Sequence, residues 1–135
     1  GGVMPLHTRS IKAPKKDDDG VRISVMSRHT LADGITLDPE ILDSSYDEWW
    51  VTLAPLPHLV GDYYKRGLSW EEFEKKFNKY LEKPYVRNLL YRLIEQARNG
   101  DVTILCAEDT PEHCHRRLIA EACRRINPHL EISIT

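Results

Sequence analysis

The stretch Val102-Thr103-Ile104-Leu105-Cys106 constrains the fold more than any other part of the chain. Four of its five residues are apolar, with no polar alternation, and it is too short for a buried helix, so it reads as a central strand covered on both faces. A turn follows. Pro111 to Ile126 then reads as a helix, with Pro111 suited to the first helical position and Asp109 or Thr110 to the cap before it. Asn127-Pro128 stops that helix, and Leu130 to Thr135 alternates apolar and polar residues as an edge strand does. Strand, helix and strand over residues 102–135 leave a crossover long enough for a parallel pair.

Earlier segments supply the rest of a layer. Val21 to Met26 reads as a half-exposed strand with Arg28 and His29 beyond its carboxyl end, and Thr30 to Ser45 as loop. Trp49 to Leu53 fits either a strand or a short helix, ended by Pro55 and Pro57. Ser69-Trp70-Glu71-Glu72 has the pattern of a capping box, with Trp70, Phe73, Phe77 and Leu81 at helical spacing. After Pro84, the residues Val86, Leu89, Leu90, Leu93, Ile94 and Ala97 form a second apolar stripe, stopped by Asn99-Gly100. The fold expected is a small α/β layer, a mainly parallel sheet of three or more strands with helices packed on it. Residues 21–135 form its single domain. Residues 1–20, charged or small from Lys12 to Gly20 and without periodicity, read as a flexible arm.

Composition narrows function mainly by exclusion. A net charge of −2 over 135 residues gives no global pull toward nucleic acid or anionic membrane. No apolar run approaches the roughly 20 residues of a membrane span, and residues 1–20 lack the apolar segment of a secretory signal. Three cysteines, Cys106, Cys114 and Cys123, without such a signal read as free thiols of a cytoplasmic protein. A Cys106–Cys114 bridge is conceivable there only as a redox event.

Chemistry concentrates where the central strand runs into the following helix. At about 100° per residue, Leu118, Ile119, Ala122 and Ile126 define the buried stripe. His115 falls near its centre, Cys114 and Arg116 flank it, His113 and Arg117 point outward, and Cys123 lies on the packing side. His115 therefore aims at the carboxyl edge of the sheet, where Cys106 leaves its strand and where ligands of open α/β sheets sit. A helix start favours anions and lowers a nearby thiol's pKa. Cys106 or Cys114 is thus the candidate reactive thiol, His115 its base or orienter, and Arg116 with Arg28 the candidate grip on a small anionic ligand such as a nucleotide or phosphate. Each residue also has an ordinary structural role open to it, the cysteines as small hydrophobes and His115 as a buried ring bonded to a carbonyl. Cys106, Cys114, His113 and His115 are zinc-type ligands, but the C-x7-C-H spacing matches no common zinc pattern, so no metal is assigned. Two alternatives stay open: a Cys/His redox or metal site, and a non-catalytic module using the Lys75/Lys76/Lys79 and Arg124/Arg125 faces with Trp49 or Trp50 against nucleic acid or protein.

Trp49 with Leu53-Ala54-Pro55, Ser69-Trp-Glu-Glu-Phe73, Thr103-Ile-Leu-Cys-Ala-Glu108 and Pro111-Glu-His-Cys-His-Arg116 together resemble the YeaO-like family, domain of unknown function 488. The resemblance runs from about Arg22 to Ile126 and implies an α/β fold. It also implies candidate positions at Arg28, His29, Cys106, Cys114, His115 and Arg116, with Glu108 of the same block beside them. Family members often continue Arg-His with proline; here Thr30 follows His29, and Leu56 stands where the family often has serine.

Overall fold

The computed structural model describes residues 5–31 and 33–135. Five parallel strands, β1 (Leu6–Ser10), β2 (Val21–Ser24), β3 (Glu48–Trp49), β4 (Val102–Cys106) and β5 (Ile132–Ile134), form one sheet in the order β3-β2-β4-β1-β5. Among the described residues four α-helices accompany them: α1 (Pro57–Lys65), α2 (Trp70–Leu81), α3 (Pro84–Asn99) and α4 (His115–Ile126). The chain is an α/β protein, and β4 is its central strand, as the apolar run requires. No helix among the described residues is long and apolar enough to cross a membrane.

Local chemistry accounts for the helix boundaries. The Ser69 hydroxyl accepts from the Glu72 N–H at the start of α2, while Pro57 and Pro84 open α1 and α3. The apolar stripes of α2, α3 and α4 join one face of the sheet, carried by Leu6, Ile23, Val102, Ile104 and Cys106, in a single core with Phe77, Leu90, Leu93, Leu118 and Ile119. Trp49 to Leu53 splits between the two readings: Glu48–Trp49 is strand, and Val51–Leu53 is a turn of 3₁₀ helix.

Three expectations are corrected. Of residues 1–20, the first four lie outside the described residues, but 5–20 form no arm. Leu6–Ser10 is β1, buried throughout and wedged between β4 and β5. β4 and β5 are therefore parallel without being neighbours. The third correction concerns α4, which begins at His115 with Cys114 as its cap, not at Pro111. Pro111 to Cys114 instead forms a turn, closed by the Cys114 N–H on the Pro111 carbonyl at 3.3 Å, and the Arg117 guanidinium donates to the Pro111 and Glu112 carbonyls.

β1 escapes a reading by hydrophobicity because the second face of the sheet is polar. His7, Arg9, Arg22, Ser24 and Thr103 point there, away from the helices, and all are buried. Parallel sheets ordinarily carry helices on both faces. This face is covered by the charged segment after β1 and by the loop preceding β3. Asp19 takes Arg22 on one carboxylate oxygen and Arg9 at 2.9 Å on the other, while its own carbonyl accepts from the Thr103 hydroxyl at 2.7 Å. Gly20 then turns the chain into β2 at φ 63°; a side chain there would collide with the Asp101 carbonyl, which accepts the Val21 N–H.

Burial would push the Asp19 carboxyl up, but the Lys16 N–H, Arg22 and Arg9 together hold it below its ordinary value. Its contribution is therefore complete above about pH 4, the ordinary aspartate range, and fades as pH falls through the depressed folded-state value. Asp19→Asn leaves two guanidinium groups without their counter-charge and should cost about 3–5 kcal/mol at neutral pH. Urea unfolding of both chains across acidic pH checks this, and the gap between them should shrink as pH falls.

Candidate functional site

β4 and α4 meet where the chain leaves the sheet, and the turn between them folds Cys114 and His115 back over Cys106. The His115 Nε2 lies 2.6 Å from the Val25 carbonyl oxygen, just past β2, and its Nδ1 lies 3.4 Å from the Cys106 Sγ. A carbonyl only accepts, so Nε2 carries the proton. Nδ1 of the neutral ring is then an acceptor aimed at the Cys106 thiol, which donates to it. Phe77 packs edge-on against the imidazole at 5.7 Å and fixes the ring plane. The Cys114 Sγ completes the group: the two sulfurs and a ring nitrogen of His115 lie within 4.8 Å of one another. This is the set of side chains that could hold a soft metal ion. All three cysteines are free thiols.

The cluster is sheltered. Cys106 is 5 % exposed, Cys114 2 % and His115 9 %. Surface cavities of about 270 Å³, around Lys12, Arg22 and Ser45, and about 460 Å³, around Arg92, Gln96 and Val102, both lie away from it. Burial pushes the Cys114 thiol well up, and its hydrogen bond with Cys106 adds to that; His115 and Arg116 pull the other way.

Arg116 is fully buried, which sets its role apart from a ligand grip. Its Nη1 donates to the Glu108 carbonyl at 2.8 Å, and Nε and Nη2 donate to the Thr135 carbonyl at 3.3 and 3.2 Å. It clamps the segment after β4 to the end of the chain. All of these bonds end on main-chain oxygens, and the guanidinium lowers the pKa of the Cys114 thiol against its burial. The Glu108 side chain accepts the Tyr64 hydroxyl at 2.6 Å. Removal of that hydroxyl from water, then Glu108 itself, push the Tyr64 phenol far up, and the charged forms of Cys106 and Cys114 push the same way.

The structure thus brings together Cys106, Cys114 and His115, with Arg116 behind them and Glu108 at the side. It does not bring in Arg28 or His29. Arg28 is exposed, with its Nη1 3.5 Å from the Gly34 carbonyl. His29 bonds the Ser24 hydroxyl at 2.7 Å, on the sheet face opposite Cys106, and stacks on Trp49 at 4.0 Å and against Tyr46 at 4.7 Å. Burial lowers its pKa, against a smaller pull from Asp43. Trp49, the exposed member of the tryptophan pair, therefore covers His29. Cys123 is packed into the core with its thiol pushed up to about 12 by burial, in keeping with its place on the packing side. Sequence reasoning missed Tyr64 and the Val25 carbonyl. Helical phase from Pro57 could have put Tyr64 on a face, but no residue pattern marks a backbone carbonyl as the anchor of a histidine 90 positions away.

The fold and site define an α/β protein with a buried cysteine–histidine pair at the carboxyl edge of a parallel sheet. The family described as the Active DUF488-N3 subclade matches residues 6–126, and the chain belongs to that family. The match begins at the first residue of β1 and ends at the last of α4. No curated protein and no solved structure matches the chain.

Replacing Arg116 by lysine keeps the charge but not the fork, so Glu108 and Thr135 cannot both be held. Arg116→Lys should cost about 1–3 kcal/mol, seen as a lower urea midpoint with an unchanged slope.

Proposed function

We propose that this protein carries out thiol-dependent catalysis, with Cys106 as nucleophile and His115 as its base. One observation carries the reading: the Val25 carbonyl holds the His115 proton on Nε2, which leaves Nδ1 facing the Cys106 thiol. Thiols react as thiolates, and a neutral imidazole in contact with S–H is the usual means of making one. The imidazolium formed keeps its Nε2–H on Val25, so the ring need not turn during proton transfer. The start of a helix such as α4 is a setting that favours negative charge. Glu108 and Tyr64 form the outer wall, from which a substrate would approach.

The arrangement supports the thiol reading better than nucleotide or phosphate binding. The guanidinium expected to grip an anion is closed off and bonded to carbonyls, and Arg28 is elsewhere. A substrate that meets Cys106 where it is now buried must be small and electrophilic.

The test is the rate of Cys106 alkylation by iodoacetamide against pH, followed by peptide mapping. Cys106 should react at neutral pH well ahead of Cys114 and Cys123. His115→Gln should slow it by about 10²-fold or more, the lower end of what a positioned base contributes. A folded His115→Gln chain that alkylates as fast as wild type sinks the base assignment. Elemental analysis of the purified protein distinguishes a metal centre: one equivalent of tightly held zinc, with Cys106 protected, would replace the nucleophile reading.

A further inference from the structure

We infer that Cys114 is the resolving thiol of Cys106, and that the pair reduces small hydroperoxides. The inference rests on Cys106 being the nucleophile and adds the substrate class and the second half of the cycle.

Three observations lead there. The first is proximity without a bond: both thiols are free, and their sulfurs lie within 4.8 Å. A disulfide needs them at about 2.05 Å, so an oxidised pair forms by a short approach. The second is the asymmetry of their settings. Cys106 ends the central strand, and its carbonyl accepts the Ile11 N–H at 2.8 Å. Cys114 sits between a turn and the first residue of α4, at the end of the irregular segment 107–113. The approach therefore falls to Cys114. Only Cys106 has the imidazole; Cys114 is held protonated by burial and by its bond with Cys106, which suits the thiol that waits. The third is access. Both sulfurs are almost covered and neither described cavity reaches them, which favours an oxidant of a few atoms over a nucleotide.

The chemistry balances in two steps. The Cys106 proton passes to His115 Nδ1, and the thiolate attacks the terminal oxygen of the hydroperoxide. The S–O bond forms as the O–O bond breaks. The departing alkoxide, or hydroxide from hydrogen peroxide, takes the proton from His115 and leaves as alcohol or water. Cys106 is now a sulfenic acid, oxidised by two electrons while the peroxide is reduced by two. The Cys114 sulfur then attacks the Cys106 sulfur. The S–O bond breaks, and hydroxide leaves as water with the Cys114 proton. Turnover requires an external dithiol, which returns both thiols by thiol–disulfide exchange.

Hydrogen peroxide with the full chain tests this, read by intact mass and disulfide mapping, and peroxide consumption with dithiothreitol as reductant reads turnover. Wild type should lose two hydrogen masses, yield a Cys106–Cys114 peptide pair with Cys123 still free, and consume peroxide. Cys114→Ser should gain one oxygen at Cys106 and form a dimedone adduct there; Cys106→Ser should do neither and consume none. If wild-type Cys106 alkylates readily but peroxide gives no Cys106–Cys114 bond, the resolving role is overturned and the nucleophile stands. If Cys106 is inert to both iodoacetamide and peroxide, both readings fail. Wild-type mapping decides these outcomes even if a variant does not fold.

Discussion

Asp19 stands between the Arg9 and Arg22 guanidinium groups on the sheet face that no α-helix covers among the described residues, and the placement of the strands depends on it. Without that carboxylate, β1 and β2 would bring two like charges into a dry layer on either side of β4. A buried cation without a partner costs several kcal/mol, more than such short strands recover by pairing. With it, Arg9, Arg22 and Thr103 are tied to one residue, and the two strands are held in register against β4. That register sets where β2 ends. The Val25 N–H donates to the Leu105 carbonyl at 3.0 Å, and the Val25 carbonyl then holds His115. A polar contact on one face of the sheet thereby positions a histidine on the other.

The site reflects a balance between burial and charge. Burial disfavours a thiolate, as the raised Cys114 and Cys123 thiols illustrate. Cys106 differs in having an acceptor, the His115 Nδ1, in contact. Arg116, fully buried, donates to main-chain oxygens of Glu108 and Thr135 and so closes the segment after β4 onto the strand end at β5. One residue thus fixes the wall of the site. The Tyr64–Glu108 pair, by contrast, is a removable wall: a single hydrogen bond between α1 and the segment after β4, with Tyr64 62 % exposed.

Much of this was legible in residue patterns. The apolar run 102–106, the two helix stripes before it and the phase of α4 are local signals of period and capping, and they place Cys106, Cys114 and His115 at one sheet edge with Cys123 behind. β1 was not legible, because a strand facing a buried ionic layer alternates in the same way as one facing water. Arg116, read as a candidate ligand grip, has its donors on main-chain oxygens of Glu108 and Thr135, and nothing in its sequence neighbourhood announces that. Arg28 and His29 follow a strand that does flank β4, yet the chain turns after Val25 and carries His29 to the other face.

The sequence by itself determined β2, β4, β5, α2, α3 and the body of α4, and which reactive side chains share the strand-to-helix turn, since these follow from local spacing and helical phase. Only the tertiary structure decided that β1 enters the sheet beside β4, that the imidazole proton sits on Nε2, and that Arg116 is spent on carbonyls. Those depend on contacts between residues far apart in the chain, made by backbone carbonyls and a single carboxylate that carry no periodic signature.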